Sequence, residues 1–338
     1  MKKYIINILI MLGISSISIG LIAKYSGECD VKGALSKVIF KWLLCGVLCM
    51  VCYWLAESLI QYMLVRRMKE KSSFWNCFKV VMTGHFFNAV TPGASGGQPM
   101  QAYLMSKQGV SLGTSASVLL SKFIVYQCIL TIYSAIVLIM GLKYFASNVS
   151  GFTWLTLIGF VVNTAVVIVL IAVGTMRGFV KKSGKGIVNL LNKIKIIKNP
   201  ADIISKMDEQ IEVFSGNFKE TIKNKTLLIS VSILTVMQLT AYFSVPYMVY
   251  RAFGLQGNSI FLMIEAAALI LMLASFVPIP GSSGSAEASF MLLFSMFFPT
   301  TIIAVAVVVW RLLTFYMPLC AGALVMLLPN SKRRVKNG

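Results

Sequence analysis

Charged residues are scarce in this 338-residue sequence. Asp, Glu, Lys and Arg make up only 12% of it, whereas hydrophobic residues make up 57%. A soluble domain typically carries about a quarter charged residues. Acidic residues are especially few, with 11 Asp and Glu against 31 Lys and Arg, and there is a single histidine. This composition excludes an ordinary soluble enzyme and predicts a membrane protein.

The sequence also lacks the motifs of several catalytic classes. It contains no Walker loop and no evident pair of nucleophile and base, which argues against ATP hydrolysis and acyl transfer. Most of its seven cysteines lie in apolar runs, where a thiol acts as a small hydrophobic group. With one histidine, no Cys/His metal cluster is predicted. We therefore expect no metal, no cofactor and no catalytic residue, and a transporter-like protein rather than an enzyme.

Long apolar runs are the main positive feature of the chain. A helix needs about 20 apolar residues to cross a bilayer, and no strand-like alternation suggests a barrel. The sequence thus predicts an all-α integral membrane protein that forms one polytopic domain over 1–338. We expect about six membrane-spanning helices, at 5–23, 39–64, 114–140, 154–175, 226–247 and 300–328.

Two further apolar segments, 74–105 and 259–298, are interrupted in the middle by Pro, Gly and Ser. Such a break frees backbone polar groups and cannot face lipid. Both segments are predicted to be re-entrant hairpins, which enter the membrane and return on the same side.

The distribution of basic residues indicates the orientation. Lys and Arg concentrate at the two termini, after the second span and in 176–225, and are sparse in the other loops. This is the positive-inside pattern of membrane proteins, not a nucleic-acid-binding surface. It predicts that both termini are cytoplasmic and that the two hairpins enter from opposite faces.

Segment 176–225 is the only sizeable polar part of the chain. Its apolar residues recur at spacings of four and three, which predicts one apolar stripe on a helix. They are Met207, Ile211, Phe214, Phe218 and Ile222. We interpret the segment as an amphipathic basic linker on the membrane surface, because it is too short for an independent catalytic core.

The two interruptions resemble each other. Aligning Pro92 with Pro280 matches a Pro-Gly-x-Ser-Gly core, and the basic residues Lys122 and Arg311 follow at nearly the same offset. The predicted half-repeats cover about 74–140 and 259–328 with opposite orientation, as in transporters built from inverted repeats. The alternative is that Pro-Gly simply kinks two buried helices.

Several charged residues fall within apolar segments, where an ionisable group is costly and commonly functional. Helix starts after the two breaks would offer free N–H groups to a phosphate. The alternative is structural pairing of the charges, for example Glu287 with Arg311, whereas His85 is read as a packing residue. Glu57 and Glu265 are candidates for coupling or pairing. The predicted lipid head-group site comprises Asn88, Pro92, Gly93, Ser95, Gly96, Gly97, Gln98, Lys122, Pro280, Gly281, Ser283, Gly284, Glu287 and Arg311.

The motifs around Asn88–Pro99 and Pro278–Glu287 resemble the lysylphosphatidylglycerol synthase transmembrane-region family, which is the membrane part of the multiple peptide resistance factor. The resemblance implies a bacterial inner-membrane protein that handles anionic phospholipids. The sequence departs from the family where Gln98 replaces a common Glu and Ser121-Lys122 replaces an acidic-Arg pair. No aminoacyltransferase domain precedes Gly338.

Three functions follow from these features. The first is a flippase or scramblase for phosphatidylglycerol, its aminoacylated form or another lipid-linked phosphate. The second is the membrane subunit of a phosphatidylglycerol lysyltransferase, involved in cationic peptide resistance and working with a separate lipid-modifying enzyme. The third is a scaffold for envelope enzymes. Anionic membrane lipids are the expected partners, no nucleic acid is expected, and a homodimer is left open.

Overall fold

The computed structural model describes residues 38–68, 72–148, 152–193, 200–274 and 285–328, with Gly33, Ser36 and Glu70 as isolated positions. Within these ranges the chain is helical and contains no strand, which confirms the all-α fold class. The helices are α1 Phe40–Arg67, α2 Phe74–Val90, α3 Gly97–Lys107, α4 Leu112–Asn148, α5 Phe152–Thr175, α6 Arg177–Lys193, α7 Pro200–Lys223, α8 Lys225–Ala252, α9 Ile260–Ala274, α10 Ser285–Phe294, α11 Thr300–Arg311 and α12 Met317–Leu327.

Four stretches of helix are long and apolar enough to cross a bilayer. They are Phe40–Arg67, Leu112–Ile136, Lys225–Ala252 and Thr300–Leu327. The predicted span 154–175 qualifies only as part of a bent pair, in which α5 and α6 meet at 82°. The predicted span 5–23 lies outside the described residues. The described chain therefore supplies four spans, or five with the bent pair, and the count of six stays a prediction.

The centre of the bundle is the antiparallel pair α1 and α8. The Ile39 N–H, at the start of α1, donates to the Ala252 carbonyl at the end of α8 (2.8 Å). At the opposite ends of the same helices, Leu64 and Leu227 belong to one buried apolar cluster. This pair gives the bundle two distinguishable ends, which are called here the Arg67 end and the Ala252 end.

Helices α2 and α3 form a helical hairpin at the first predicted re-entrant segment, and it is called here the first re-entrant pair. Ser73 caps α2 by accepting from the Asn76 N–H. A short 3₁₀ turn, Pro92–Ala94, then reverses the chain, with Ala94 in the left-handed region (φ 52°). The Gln108 side chain returns to donate to the Asn76 carbonyl (3.4 Å). Both outer ends of this pair therefore lie together, at the Arg67 end of the bundle.

Helices α9 and α10 form the corresponding second pair at the Ala252 end. Asn258, just before α9, donates to the Tyr250 hydroxyl (3.1 Å). Phe298, just after α10, places its ring 5.5 Å from the ring of Tyr250. The two pairs thus enter the bundle from opposite ends. The connection at 275–284, including Pro280, Gly281, Ser283 and Gly284, lies outside the described residues, so the inverted repeat itself stays a prediction.

The last span is one long helix with a wide turn in it. Helix α11 continues through a π-helical turn, Leu312–Tyr316, into α12. Helix α12 packs closely on α2, since a Cβ on Gly322 would lie 2.5 Å from the Met82 carbonyl oxygen. Lys79 of α2 donates to the Leu328 carbonyl at the end of α12.

The polar segment 176–225 forms two helices, α6 and α7, joined by ion pairs such as Lys185 with Asp208 (3.2 Å). The predicted apolar stripe packs mainly on protein: Ile211 and Phe218 are buried. A Cβ on Gly174 would lie 2.3 Å from the Phe218 ring, so α7 packs on the end of α5. These stripe residues thus contact neighbouring helices, and the interpretation of the segment as a linker on the membrane surface stays a prediction.

Candidate functional site

Lys122 lies at the centre of a polar cluster between three helices. Its ammonium group donates to Glu57 (3.0 Å) and Gln61 (2.9 Å) of α1, and to Gln101 of α3 (3.2 Å). Glu57 and Gln61 are four residues apart, so they share one face of α1. This arrangement connects the first re-entrant pair to a membrane-spanning helix through a partly buried charge.

His85 completes the cluster from α2. Its Nε2 lies 2.9 Å from the second carboxylate oxygen of Glu57. On the same helix, Gly84 allows the Gln101 side chain to approach, because a Cβ there would lie 2.0 Å from the amide nitrogen of Gln101. His85 is therefore a polar contact between α2 and α1, which agrees with its interpretation as a packing or helix-contact residue.

The donors of the Lys122 ammonium group are all used within this cluster. Lys122 has three N–H donors, and each has an acceptor. Glu57 supplies one negative charge, which balances the ammonium. An entering anion would have to replace one of these acceptors rather than occupy a vacant position.

The second cation of the site is Arg311 at the end of α11. It makes a bidentate pair with Glu287 of α10, with Nε–Oε1 at 2.8 Å and Nη2–Oε2 at 3.1 Å. Both residues are buried, and the guanidinium also lies 4.9 Å from the Phe315 ring centre. The pairing that the sequence left as an alternative is thus present, and it fixes α10 against α11.

The tip of the first re-entrant pair does not offer the free N–H groups that the sequence predicted. The Gly96 N–H donates to the Thr91 hydroxyl (2.8 Å), and the Gly97 N–H donates to Asn88 Oδ1 (2.9 Å). A Cβ on Gly97 would lie 2.1 Å from Asn88 Oδ1, so glycine is needed for this approach. The expectation of a vacant helix start is wrong here, because side chains of the preceding turn cap it.

Three adjoining cavities surround these polar groups. One of 230 Å³ is lined by Lys122, Gln98 and Asn88, and one of 210 Å³ by Arg311 and again Asn88. The third, of 180 Å³, has Tyr53, Trp54, Tyr126 and Tyr242 in its wall. His85 lines all three cavities.

The two re-entrant pairs share the wall of the 210 Å³ cavity. Ala94, from the tip of the first pair, and Ala286, at the start of α10, both line it, together with Ala267 of α9. Four predicted residues therefore lie around one region of adjoining cavities: Asn88, Gln98, Lys122 and Arg311. Both re-entrant pairs contribute to its wall.

The other predicted residues are distributed differently. Pro92 begins the turn between α2 and α3, and Gly93 and Ser95 are exposed beside it. Glu287 touches the 210 Å³ cavity only through its partner Arg311. Glu265 lies apart, in a groove between α4, α8 and α9.

Several site residues were missed from the sequence. Gln61 and Gln101 bind the Lys122 ammonium, and Gln238 lines the cavity beside it. A usable signal existed for Gln61, which lies one helical turn from Glu57 inside an apolar span. For Trp54 no polar signal existed, yet its indole N–H is buried without a hydrogen-bond partner in the described structure.

Comparison with known proteins agrees with the helical membrane fold described above. A family profile described as "Lysylphosphatidylglycerol synthase TM region" matches residues 8–322. A UPF0104 membrane protein of Archaeoglobus fulgidus is 26% identical over 333 residues, with 94% of each chain covered. An uncharacterised protein of Mycoplasma genitalium is 24% identical over 315 residues, which cover 86% of this chain and 79% of that protein. Neither relative's name states a substrate.

Proposed function

Because the chain belongs to the lysylphosphatidylglycerol synthase transmembrane-region family, we propose that it moves a phosphate-bearing lipid between the two leaflets of a membrane. The substrates that fit are phosphatidylglycerol, its aminoacylated form or another lipid-linked phosphate. The main support is the set of adjoining cavities, with Lys122 and Arg311 in their walls, between two helix pairs that enter from opposite ends. Such a region can be reached in turn from each side.

The buried charges support transport over a purely structural role. Placing an ionisable side chain inside a bilayer costs several kcal/mol, so a scaffold gains nothing from it. Here two cations, Lys122 and Arg311, face adjoining cavities. A lipid phosphate can exchange with the carboxylate on either cation, and the low local dielectric strengthens that contact.

Charge balance constrains how an anion would enter. Lys122 with Glu57 and Arg311 with Glu287 are each neutral overall when fully ionised. An entering phosphate would add one uncompensated negative charge in a region that tolerates none easily. Entry accompanied by a proton on Glu57 or His85 removes this charge, so we infer that anion movement is coupled to proton uptake at the Lys122 cluster.

The unpaired indole N–H of Trp54 offers a further contact. It is buried and unsatisfied within the described structure, and Trp54 lines the 180 Å³ cavity. A buried donor without an acceptor costs about 1–3 kcal/mol, so an oxygen of a head group is a suitable occupant.

The test is a leaflet-exchange assay in proteoliposomes. Phosphatidylglycerol with a fluorescent acyl chain is added, and dithionite then quenches only molecules in the outer leaflet. We expect the wild-type chain to expose the inner-leaflet pool and a Lys122→Ala/Arg311→Ala variant to leave it protected. Lys182→Ala, which removes an exposed cation on α6, is the matched control. Exchange by the double variant at the wild-type rate would refute the role of the two cations.

The proposed setting is the cytoplasmic membrane of a bacterium, with both termini in the cytoplasm. Lys107 lies at the Arg67 end of the bundle and Gln256 at the Ala252 end. In a cysteine-free background, a cysteine at 107 should react only with reagent inside the cell, and one at 256 only with reagent outside. The reverse result would invert the orientation without affecting the cavities.

The description of the matching family favours one alternative, a membrane subunit for lysylphosphatidylglycerol synthesis. In that case the cavities hold the acceptor lipid for a separate synthase. Purified chain supplied with lysyl-tRNA and phosphatidylglycerol should form no product alone under either proposal, so leaflet exchange by the purified chain is what favours transport over the subunit role. Product formed by this chain by itself would make it an enzyme.

A further inference from the structure

A lateral groove on the bundle contains a carboxylate that the proposed transport site does not use. The groove has a volume of 370 Å³ and lies between α4, α8 and α9. Its walls are Ile129, Ile132, Tyr133, Ile136, Met140, Val236, Phe261, Ile264 and Glu265. None of these residues lines the cavities around Lys122 and Arg311. The groove is therefore a separate site.

The groove opens toward lipid. Ile136 is 54% exposed and Phe261 is 69% exposed on the outer surface of the bundle. Both side chains are apolar, and they lie on helices whose exposed faces would meet acyl chains. An amphiphile can thus enter the groove sideways from the bilayer.

Glu265 is the one carboxylate among the residues that line the groove. Only 7% of the residue is exposed, and it makes no ion pair and no hydrogen bond with any residue that the structure describes. The other buried glutamate of this half of the chain, Glu287, has Arg311 as its partner. A buried carboxylate without a partner is costly and is satisfied best by a cationic group.

The shape of the groove adds the second requirement. Its wall on α4 runs from Ile129 to Met140, which at 1.5 Å per residue is about 16 Å. Glu265 lies one turn of α9 from Phe261, near the Ala252 end. A ligand that satisfies both features has an ammonium group at Glu265 and an alkyl chain directed toward Ile129.

We propose that this groove binds a single-chain cationic amphiphile, with its ammonium group paired to Glu265 and its alkyl chain packed along α4. The charge of Glu265 selects the head group and the apolar wall selects the chain. The site is independent of the proposed transport function, so each can fail without the other.

Three photoreactive probes test the proposal on the purified full-length chain in nanodiscs of uncharged phospholipid. They are a dodecyl-trimethylammonium, a dodecanol and a dodecyl sulfate, each with a diazirine at the chain terminus. Mass spectrometry then locates the adducts. We expect the ammonium probe to label the peptide from 129–140, where its chain terminus would lie, and the other two probes to label it at least about tenfold less, as loss of a buried charge pair requires.

Two variants separate charge from shape. Glu265→Gln keeps the size of the side chain and should reduce ammonium labelling to the dodecanol level. Ile136→Trp fills the groove and should reduce labelling by all three probes. Glu220→Gln is the matched control, because Glu220 is exposed on α7 and makes no ion pair in the described structure.

The wild-type comparison alone decides the matter if a variant fails to fold. Equal labelling by the three probes would overturn the proposal, since the groove would then be an unselective lipid contact. Absence of labelling by every probe would also overturn it and would indicate that a partner helix covers the groove. Ammonium preference that survives Glu265→Gln would exclude Glu265 as the selecting group.

Discussion

The two cations of the candidate site, Lys122 and Arg311, are held in different ways. Lys122 donates to three acceptors on two helices, and its carboxylate partner Glu57 also contacts His85. Arg311 forms a two-point contact with one carboxylate, Glu287, inside an aromatic environment. The first is a branched network at the Arg67 end, and the second is a compact pair between α10 and α11.

This difference has physical consequences. The Lys ammonium is a flexible point charge whose donors can be reassigned, whereas the Arg guanidinium is a rigid fork matched to a carboxylate. Side-chain exposure follows the same order: 13% and 12% for Lys122 and Glu57, against 7% and 0% for Arg311 and Glu287. The comparison indicates that the Lys122 cluster can rearrange during transport, while the Arg311 pair mainly fixes α10 against α11.

The largest effect is expected from breaking the rigid pair. Arg311→Met leaves the Glu287 carboxylate buried without its guanidinium, which should lower the free energy of unfolding by about 3–5 kcal/mol. Denaturant unfolding of the purified protein in detergent measures this. The double variant Arg311→Met/Glu287→Met removes both charges and should recover most of the lost stability. If the double variant is no more stable than the single one, the pair is not the source of the effect.

A smaller stability loss is expected at the network. Lys122→Met should lower the free energy of unfolding by about 1–3 kcal/mol, because Glu57 keeps His85 as a partner and two glutamines lose one contact each. Leaflet exchange should nevertheless fall as strongly as in an Arg311 variant. Lys122→Arg should retain more exchange than Lys122→Gln, since the charge matters more than its shape at a mobile phosphate. Equal stability losses at Lys122 and Arg311 would remove the distinction between the two sites.

A substitution of His85 tests whether this side chain contributes to the proposed proton uptake as well as to the geometry of the network. His85→Gln preserves a hydrogen-bond donor toward Glu57 but cannot carry a proton, so stability should change by no more than about 1 kcal/mol. The dependence of leaflet exchange on an imposed pH gradient should weaken. If leaflet exchange by the variant depends on the pH gradient as strongly as in the wild-type chain, His85 is not the site of proton uptake.

The smallest effect should come from an ion pair outside the membrane-spanning helices. Lys185→Ala removes the contact with Asp208 that joins α6 to α7. Both side chains are partly exposed. Such pairs contribute about 0–1 kcal/mol, and salt screens them. The unfolding midpoint should shift little, and less at high salt. A loss comparable to that of Arg311→Met would mean that burial does not explain the ranking.

Sequence reasoning located the helices well for a clear reason. Apolar runs and Pro-Gly interruptions are local features, and the structure places four candidate spans and a chain reversal at Pro92–Ala94 where these features predict them. The charges inside apolar segments were also identifiable, since each is conspicuous against its surroundings. Glu57, Lys122, Glu287 and Arg311 all lie beside the cavities or are paired with a residue that does.

Partners could not be predicted in the same way. Glu57 lies 65 residues before Lys122, so only the packing of α1 on α4 brings them together. The N–H groups of Gly96 and Gly97 were expected to be vacant, but Thr91 and Asn88 fold back to cap them. Which side chain reaches a helix start depends on the turn geometry, and the motif alone does not contain that information.

The wide π-helical turn at Leu312–Tyr316 has a consequence for how this span tolerates insertions and deletions. A π turn accommodates one extra residue without changing the direction in which the following helix faces. If the same number of residues formed a regular α-helix, every residue after the turn would be rotated by about 100° around the helix axis. Gly322 would then face away from Met82. Deleting one residue between 312 and 316 would instead convert the turn to a regular α-helix and keep the glycine in place. The π turn, directly after the buried Arg311, therefore absorbs one residue and keeps the following helix in register with α2.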